Sequence, residues 1–169
     1  DTIGSIYEFN PTKDYNFTLL DERMEITDDS IMTIAVADWI MSDKSLSLEN
    51  LAQKMRMHGQ NHPYPMGGYG GSFKQWLTRE ELPAYNSWGN GSAMRVSACG
   101  FAFDNMEETL EAAKRSAEVT HNHPEGIKGA QATAAAIFLA RKGSSKEEIR
   151  DYIAANFGYD LSRTCDEIR

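Results

Sequence analysis

The chain has 169 residues and a formal net charge of −8, with 41% hydrophobic and 25% charged residues. This length predicts a single domain with a buried core, and the acidic balance argues against a nucleic-acid groove, which needs clustered Lys and Arg. No apolar run approaches the roughly 18 residues of a bilayer-spanning helix, and no secretion signal is visible. We therefore expect a cytoplasmic protein without nucleic-acid or membrane partners, whose two cysteines, Cys99 and Cys165, are reduced thiols.

Helical patterns dominate the chain, and strand-like alternation is nearly absent. The apolar run Ile31–Met41 predicts a mostly buried helix, and Ser47 caps a second helix with an apolar face of Leu48, Leu51, Ala52 and Met55. Start and end signals mark three more helices. Asp104 and Glu107 mark the start of a helix over Met106–Val119. The next helix starts at Pro124 and ends at Gly143, and the last starts at Ser145 with Glu148 and ends at Gly158. The fold class that we predict is all-α.

The run Thr27-Asp28-Asp29-Ser30 precedes the first predicted helix and has two interpretations. A hydroxyl and two consecutive carboxylates supply the hard oxygen ligands that Mg²⁺, Mn²⁺ or Ca²⁺ prefers. The alternative is simple helix capping, because Thr and Asp are favoured at helix starts, where unpaired N–H groups attract negative charge.

Two glycine-rich stretches, residues 62–73 and 86–92, interrupt the helical pattern. Such loops often hold ligands, and the glycines of the first would let backbone N–H groups approach an anion, although a flexible loop is an equal interpretation. In the second, Trp88 offers a face for stacking on a purine, and Gly89, Asn90 and Gly91 offer hydrogen-bond donors. The alternative for Trp88 is packing in the core.

Three further side chains are candidates for chemistry. Glu8 is an acid in an apolar segment, by default a surface residue, but one that could ligate a metal or transfer protons beside a metal cluster. His121 predicts a polar contact to a ligand, and zinc is disfavoured because prolines follow both histidine pairs. The apolar neighbourhood of Cys99 argues against a nucleophile.

Taken in order, five segments resemble the ADP-ribosylglycohydrolase family, which includes dinitrogenase-reductase-activating glycohydrolases. The segments are residues 1–8, 27–30, 68–71, 87–96, and Thr120-His121 before Gly129-Ala130. The resemblance implies a compact orthogonal multi-helical bundle with a binuclear metal centre. Its two ions are usually magnesium, with manganese as the alternative.

The resemblance also implies roles for individual residues in removing ADP-ribose from modified protein side chains or small molecules. The metal ligands would be Glu8, Thr27, Asp28 and Asp29, and the catalytic residues Glu8, Asp28 and Asp29. The substrate-binding residues would be Gly68, Gly70, Gly71, Asn86, Ser87, Trp88, Gly89, Asn90, Gly91 and His121. The bond cleaved would be the glycosidic bond at the distal ribose, and the motifs do not specify the acceptor.

One family motif has no counterpart in residues 1–169: the second metal-ligand run, Gly-Asp-x-Asp-Thr. We therefore expect a single domain truncated at both ends, inactive by itself, which self-associates or pairs with a completing C-terminal segment. Two other functions remain open at this point. One is a non-catalytic ADP-ribose-binding or structural relative of the same fold, and the other is a helical interaction module.

Overall fold

The computed structural model describes residues 1–168, with the side chain of Cys165 left out. A 3₁₀ helix, Thr2–Tyr7, is followed by α1 Asp28–Ser42, α2 Leu48–Asn61, α3 Gly71–Leu77, α4 Gly91–Met94, α5 Ser97–Ala102, α6 Met106–Glu118, α7 Pro124–Arg141, α8 Lys146–Phe157 and α9 Cys165–Ile168. Residues 1–168 contain no β-strand, and the one isolated bridge found there joins Thr27 to Met66. The predicted all-α class is confirmed.

The long helices begin where their capping residues predict. The Ser47 hydroxyl accepts the Asn50 N–H at 3.3 Å at the start of α2. Ser145 and Glu148 form a reciprocal capping box at the start of α8, which Gly158 ends in the left-handed region.

Helix α6 begins at Met106 as predicted, but its predicted capping residue is wrong by one position. Asn105, not Asp104, caps this helix: its Oδ1 accepts the Glu108 N–H at 2.9 Å, and its Nδ2 donates to the Glu108 carboxylate at 2.8 Å. Asp104 is exposed instead and pairs with Lys142 at 3.4 Å. An Asn or an Asp can cap equally well, so the two adjacent candidates could not be ranked from the sequence.

Helix α7 lies at the centre of the molecule and packs against α4, α5, α6 and α8. Its buried face is built from alanines, which allow the neighbouring backbones to approach closely. Gly100 of α5 makes the closest approach, since a Cβ there would lie 2.6 Å from the Ile137 Cβ. On the other side, α1 packs on α2, where Asp38 pairs with Lys54 at 2.9 Å and with His58 at 3.1 Å.

Cys99 is a free cysteine, fully buried in the core that α1, α5 and α6 share with α7. Burial raises the pKa of its thiol to about 12, so the thiolate needed for nucleophilic attack is not formed near neutral pH. The prediction for Cys165 concerns a side chain that lies outside the described residues. None of the helices within residues 1–168 is both long and apolar enough to cross a bilayer.

Candidate functional site

A cavity of about 280 Å³ opens between the start of α1, the starts of α3 and α4, and the turn that follows α6. Eight of the predicted site residues line it: Asp28, Gly70, Gly71, Ser87, Gly89, Asn90, Gly91 and His121. The two glycine-rich stretches lie far apart in sequence, but they form walls of the same cavity. This convergence identifies the cavity as the candidate functional site.

The start of α1 is capped by Thr27 and also places Asp28 at the cavity. The buried Thr27 hydroxyl caps the helix by accepting the Asp29 N–H at 3.2 Å. A backbone hydrogen bond from Met66 N–H to the Ile26 carbonyl, at 3.4 Å, ties the first glycine-rich stretch to the same point. Asp28, the first residue of the helix, lines the cavity. Capping therefore places a carboxylate at the cavity wall.

Asp1, which precedes the 3₁₀ helix, is part of this cluster and had no predicted role, because a single acid carries no distinguishing sequence pattern. Its carboxylate accepts hydrogen bonds from the hydroxyls of Thr27 and Ser30, and from the Ser30 N–H at 3.1 Å. Asp1 and Asp29 line a separate hollow of about 400 Å³. The consecutive residues Asp28 and Asp29 thus face different spaces.

The carboxylates at the start of α1 repel one another. Burial raises the pKa of Asp28, and the charges of Asp29 and Glu8 raise it further. Glu8 is exposed and lies against Gly67, where an added Cβ would be 3.2 Å from its Oε1. Asp28 is therefore a partly buried acid whose ionised form calls for a compensating positive charge.

The donor set at this point fits a hard cation by its chemistry, because it combines a hydroxyl with several carboxylates whose repulsion a cation would relieve. In the part of the chain that the structure describes, however, no group of three or more His, Cys, Asp and Glu side chains is gathered closely enough to hold a metal ion. The binuclear magnesium centre stays a prediction.

His121 lines the cavity together with Asp28. The ring is 6% exposed, and its Nδ1 lies 2.7 Å from the Thr120 hydroxyl. Burial lowers the pKa of His121 to about 4, and the positive charge of Arg95 contributes in the same direction. The imidazole is consequently neutral near pH 7, which suits a hydrogen-bond contact to a ligand.

Arg95 also lines the cavity, although no role was predicted for it from the sequence. It is 2% exposed, and its Nη2 donates to the Ser116 carbonyl at 2.7 Å and to the Thr120 hydroxyl at 2.9 Å. Burial lowers the pKa of its guanidinium to about 10. The available signal was a charged residue inside the apolar run between Met94 and Val96.

Trp88, Gly68 and Asn86 lie outside the lining of the cavity. Trp88 is 74% exposed, so the alternative of core packing is wrong. Its ring lies on a larger, mostly apolar groove of about 720 Å³ between α7 and α8. Gly68 and Asn86 have φ values of 74° and 54°, and they lie in the irregular segments that lead into the cavity walls.

Comparison with known proteins identifies relatives of this chain. The chain is 28% identical to ADP-ribosylhydrolase ARH3 of Homo sapiens over 178 residues, covering 88% of this chain and 48% of that protein. It is 28% identical to ADP-ribosylhydrolase ARH3 of Xenopus tropicalis over 173 residues, covering 88% and 49%, and 25% identical to that of Bos taurus over 178 residues, covering 88% and 48%.

The chain spans about half the length of the curated relatives it matches. The sequence model of one family, ADP-ribosylglycohydrolase, matches residues 1–169. With its helical fold and with both glycine-rich stretches and Asp28 around one cavity, the chain belongs to the ADP-ribosylglycohydrolase family.

Proposed function

We propose that this chain provides the substrate cavity of a metal-dependent ADP-ribosyl hydrolase. The reaction is hydrolysis of the glycosidic bond between the distal ribose of ADP-ribose and a modified protein side chain or small molecule. The observation that carries the proposal is the meeting of both glycine-rich stretches, Asp28 and His121 around one cavity. Membership of the family, and relatives named ADP-ribosylhydrolase, support the class of substrate.

The walls of the cavity suit a nucleotide diphosphate. Gly70 and Gly71 lie at the start of α3, and Asn90 and Gly91 at the start of α4, where helical N–H groups favour negative charge. Gly89 and Asn90 line both the cavity and the larger groove that carries Trp88. We assign the diphosphate to the cavity and the adenine to the exposed face of Trp88.

We assign the carboxylates at the start of α1 to the cleavage of the glycosidic bond. Thr27, Asp28 and Asp29, with Glu8, would hold a divalent cation, either magnesium or manganese, and that cation supplies Lewis-acid polarisation when bound. Asp28 lines the cavity, where its negative charge stabilises the oxocarbenium-like centre that forms as the leaving group departs. Glu8 is assigned proton transfer.

The test uses the full-length protein and two measurements, ADP-ribose binding by calorimetry and ADP-ribose release from peptides modified on arginine or serine. We expect magnesium-dependent release that a chelator stops. Asp28→Asn should abolish release, and the control Asp104→Asn should not, because Asp104 is an exposed residue of the α6 start.

The hydrolase and the non-catalytic ADP-ribose-binding relative give different results in this test. ADP-ribose binding without release from any substrate would favour the non-catalytic relative. Absence of ADP-ribose binding would contradict both functions.

A further inference from the structure

The hydroxyl of Thr120 contacts both the buried guanidinium of Arg95 and the ring of His121 at the cavity. Thr120 is fully buried. Its Oγ1 lies 2.9 Å from Arg95 Nη2 and 2.7 Å from His121 Nδ1. A guanidinium has only donors, so Thr120 Oγ1 accepts the hydrogen bond from Arg95. The single proton of the hydroxyl remains for another partner.

Tyr85 is the other neighbour that could take this proton, because its hydroxyl also interacts with Thr120. His121 Nδ1 lies 2.7 Å from Thr120 Oγ1, a shorter contact than the 2.9 Å to Arg95 Nη2. A ring nitrogen without a proton accepts a hydrogen bond, and a guanidinium cannot. The geometry therefore sends the Thr120 proton to His121 Nδ1, with the Tyr85 hydroxyl as the competing acceptor.

The other ring nitrogen of His121 lies beside Gly91. A Cβ added at Gly91 would be 3.0 Å from Nε2 and 3.1 Å from Cε1. Both residues line the cavity, and the missing side chain leaves the space in front of Nε2 open. Nε2 is therefore the nitrogen of this ring that a ligand in the cavity can reach.

We propose that Thr120, held by Arg95, fixes His121 in the tautomer with its proton on Nε2, which makes Nε2–H a hydrogen-bond donor to a ligand oxygen. Arg95 and Thr120 are positioning residues that act through His121. His121 accordingly binds and orients an oxygen atom, and it does not remove a proton from one. The assignment of the ligand as ADP-ribose rests on the proposed function, whereas the tautomer itself does not.

The first experiment records long-range ¹H–¹⁵N NMR spectra of the histidine rings in the ligand-free protein, with His121→Asn to assign the signals. We expect a protonated Nε2 and an unprotonated Nδ1 near pH 7. Thr120→Ser should keep this pattern, and Thr120→Val should shift the ring-nitrogen signals toward an average of the two tautomers. His123 is an internal control, because its Nδ1 accepts the Glu125 N–H at 3.1 Å and does not depend on Thr120.

A second variant, Tyr85→Phe, keeps the test decisive if valine at position 120 prevents folding. Removal of the tyrosine hydroxyl should leave the tautomer of His121 unchanged, because the Thr120 proton already goes to the histidine. A proton on Nδ1 in the wild-type protein would overturn the proposal. So would a tautomer that changes in Tyr85→Phe, or spectra of a folded Thr120→Val protein identical to the wild type.

The second experiment titrates ADP-ribose into the same proteins and follows both the Nε2–H signal and the affinity. Binding should shift the Nε2–H signal, and Thr120→Val should bind about three- to tenfold more weakly than Thr120→Ser, as expected for one misplaced hydrogen bond. A wild-type protein with the Nε2–H tautomer that does not bind ADP-ribose would contradict the proposed function alone. Binding that leaves the Nε2–H signal unmoved would contradict the donor role of His121.

Discussion

At the scale of single residues, the start of α1 serves the fold and the candidate site together. Thr27 caps the helix with its side chain, while Asp28 lines the cavity and Asp29 faces another hollow. The two interpretations of the Thr27-Asp28-Asp29 run are therefore compatible, and capping alone does not explain the carboxylate at the cavity wall. The burial of Asp28 and its repulsion by Asp29 and Glu8 are a cost to the folded state.

Asp28→Asn is expected to stabilise the protein when metal ions are removed. The pKa of Asp28 is raised in the folded state, by burial first and then by Asp29 and Glu8. The folded protein therefore holds this proton to a higher pH than the unfolded chain, and ionised Asp28 lowers stability above that pKa. Thermal unfolding in the presence of a chelator should give a higher Tm for Asp28→Asn than for the wild-type protein at pH 7. The difference in Tm should shrink toward pH 4. An unchanged or lower Tm at pH 7 would contradict this reasoning, and Asp104→Asn is the control.

Trp88→Ala is expected to affect binding far more than folding. The side chain is 74% exposed, so its loss removes little buried area. A stacked base contributes about 1–3 kcal/mol, and ADP-ribose affinity should fall accordingly. Calorimetry on Trp88→Ala and on Trp88→Phe, which keeps an aromatic face, provides the comparison. Equal affinities for all three proteins would remove Trp88 from the binding site.

At the scale of helices, the long and regular helices were predicted from the sequence, and the short ones were not. The patterns of α1, α2, α7 and α8 extend over several turns and carry caps, so their ends were close to those observed. The short helices α3, α4 and α5 were not predicted, because one or two turns do not establish a period, and α3 and α4 begin at glycines of the interrupted stretches. Two of these short helices, α3 and α4, contribute residues to the walls of the cavity.

Helix α7 fixes the cavity by passing very close to it, and Gly126 permits this approach. A Cβ at Gly126 would lie 2.8 Å from the Ser87 carbonyl oxygen and 2.9 Å from that of His121. Both oxygens are backbone atoms of the cavity wall, so neither can move cheaply. The second glycine of the same helix, Gly129, has no contact closer than 3.8 Å for an added Cβ.

The two glycines of α7 therefore form a matched pair for mutation. Both changes to alanine gain about 1 kcal/mol of helix propensity. Gly126→Ala should nevertheless lower the free energy of unfolding by about 1–3 kcal/mol through overpacking, whereas Gly129→Ala should leave it equal or raise it. Urea denaturation measures both values. Equal stabilisation by the two changes would show that the backbone of the cavity wall can move to make room for the added methyl group.

At the scale of the whole molecule, the cavity is a product of tertiary packing. His121 and Gly91 lie about thirty residues apart in sequence, and their contact depends on how α7 holds the turn after α6 against α4. Motif order indicated which residues belong to the site, but not that Trp88 would lie outside the cavity or that Arg95 would support it. Buried charges of this kind also make global stability depend on pH.

His121 is expected to make the protein less stable in mild acid. Its pKa is about 4 in the folded state against the ordinary value of 6.5. Below pH 6.5 the unfolded chain takes up a proton that the folded protein excludes, so stability is lost as the pH falls from 6.5 toward 4. The loss from this residue reaches up to about 3 kcal/mol. Urea denaturation across this range should give a shallower pH dependence for His121→Gln, whereas a slope equal to that of the wild type would contradict the assignment. His62→Gln, at an exposed position, is the control.

The burial of Cys99 makes this thiol a reporter of unfolding. Its sulfur is sealed in the core, so an alkylating reagent should modify it only when the molecule opens globally. In a Cys165→Ser background, the alkylation rate then measures the population of the open state. A ligand that binds only the folded protein lowers that population. ADP-ribose should therefore slow the alkylation of Cys99, and this slowing would detect nucleotide binding even where no bond is hydrolysed.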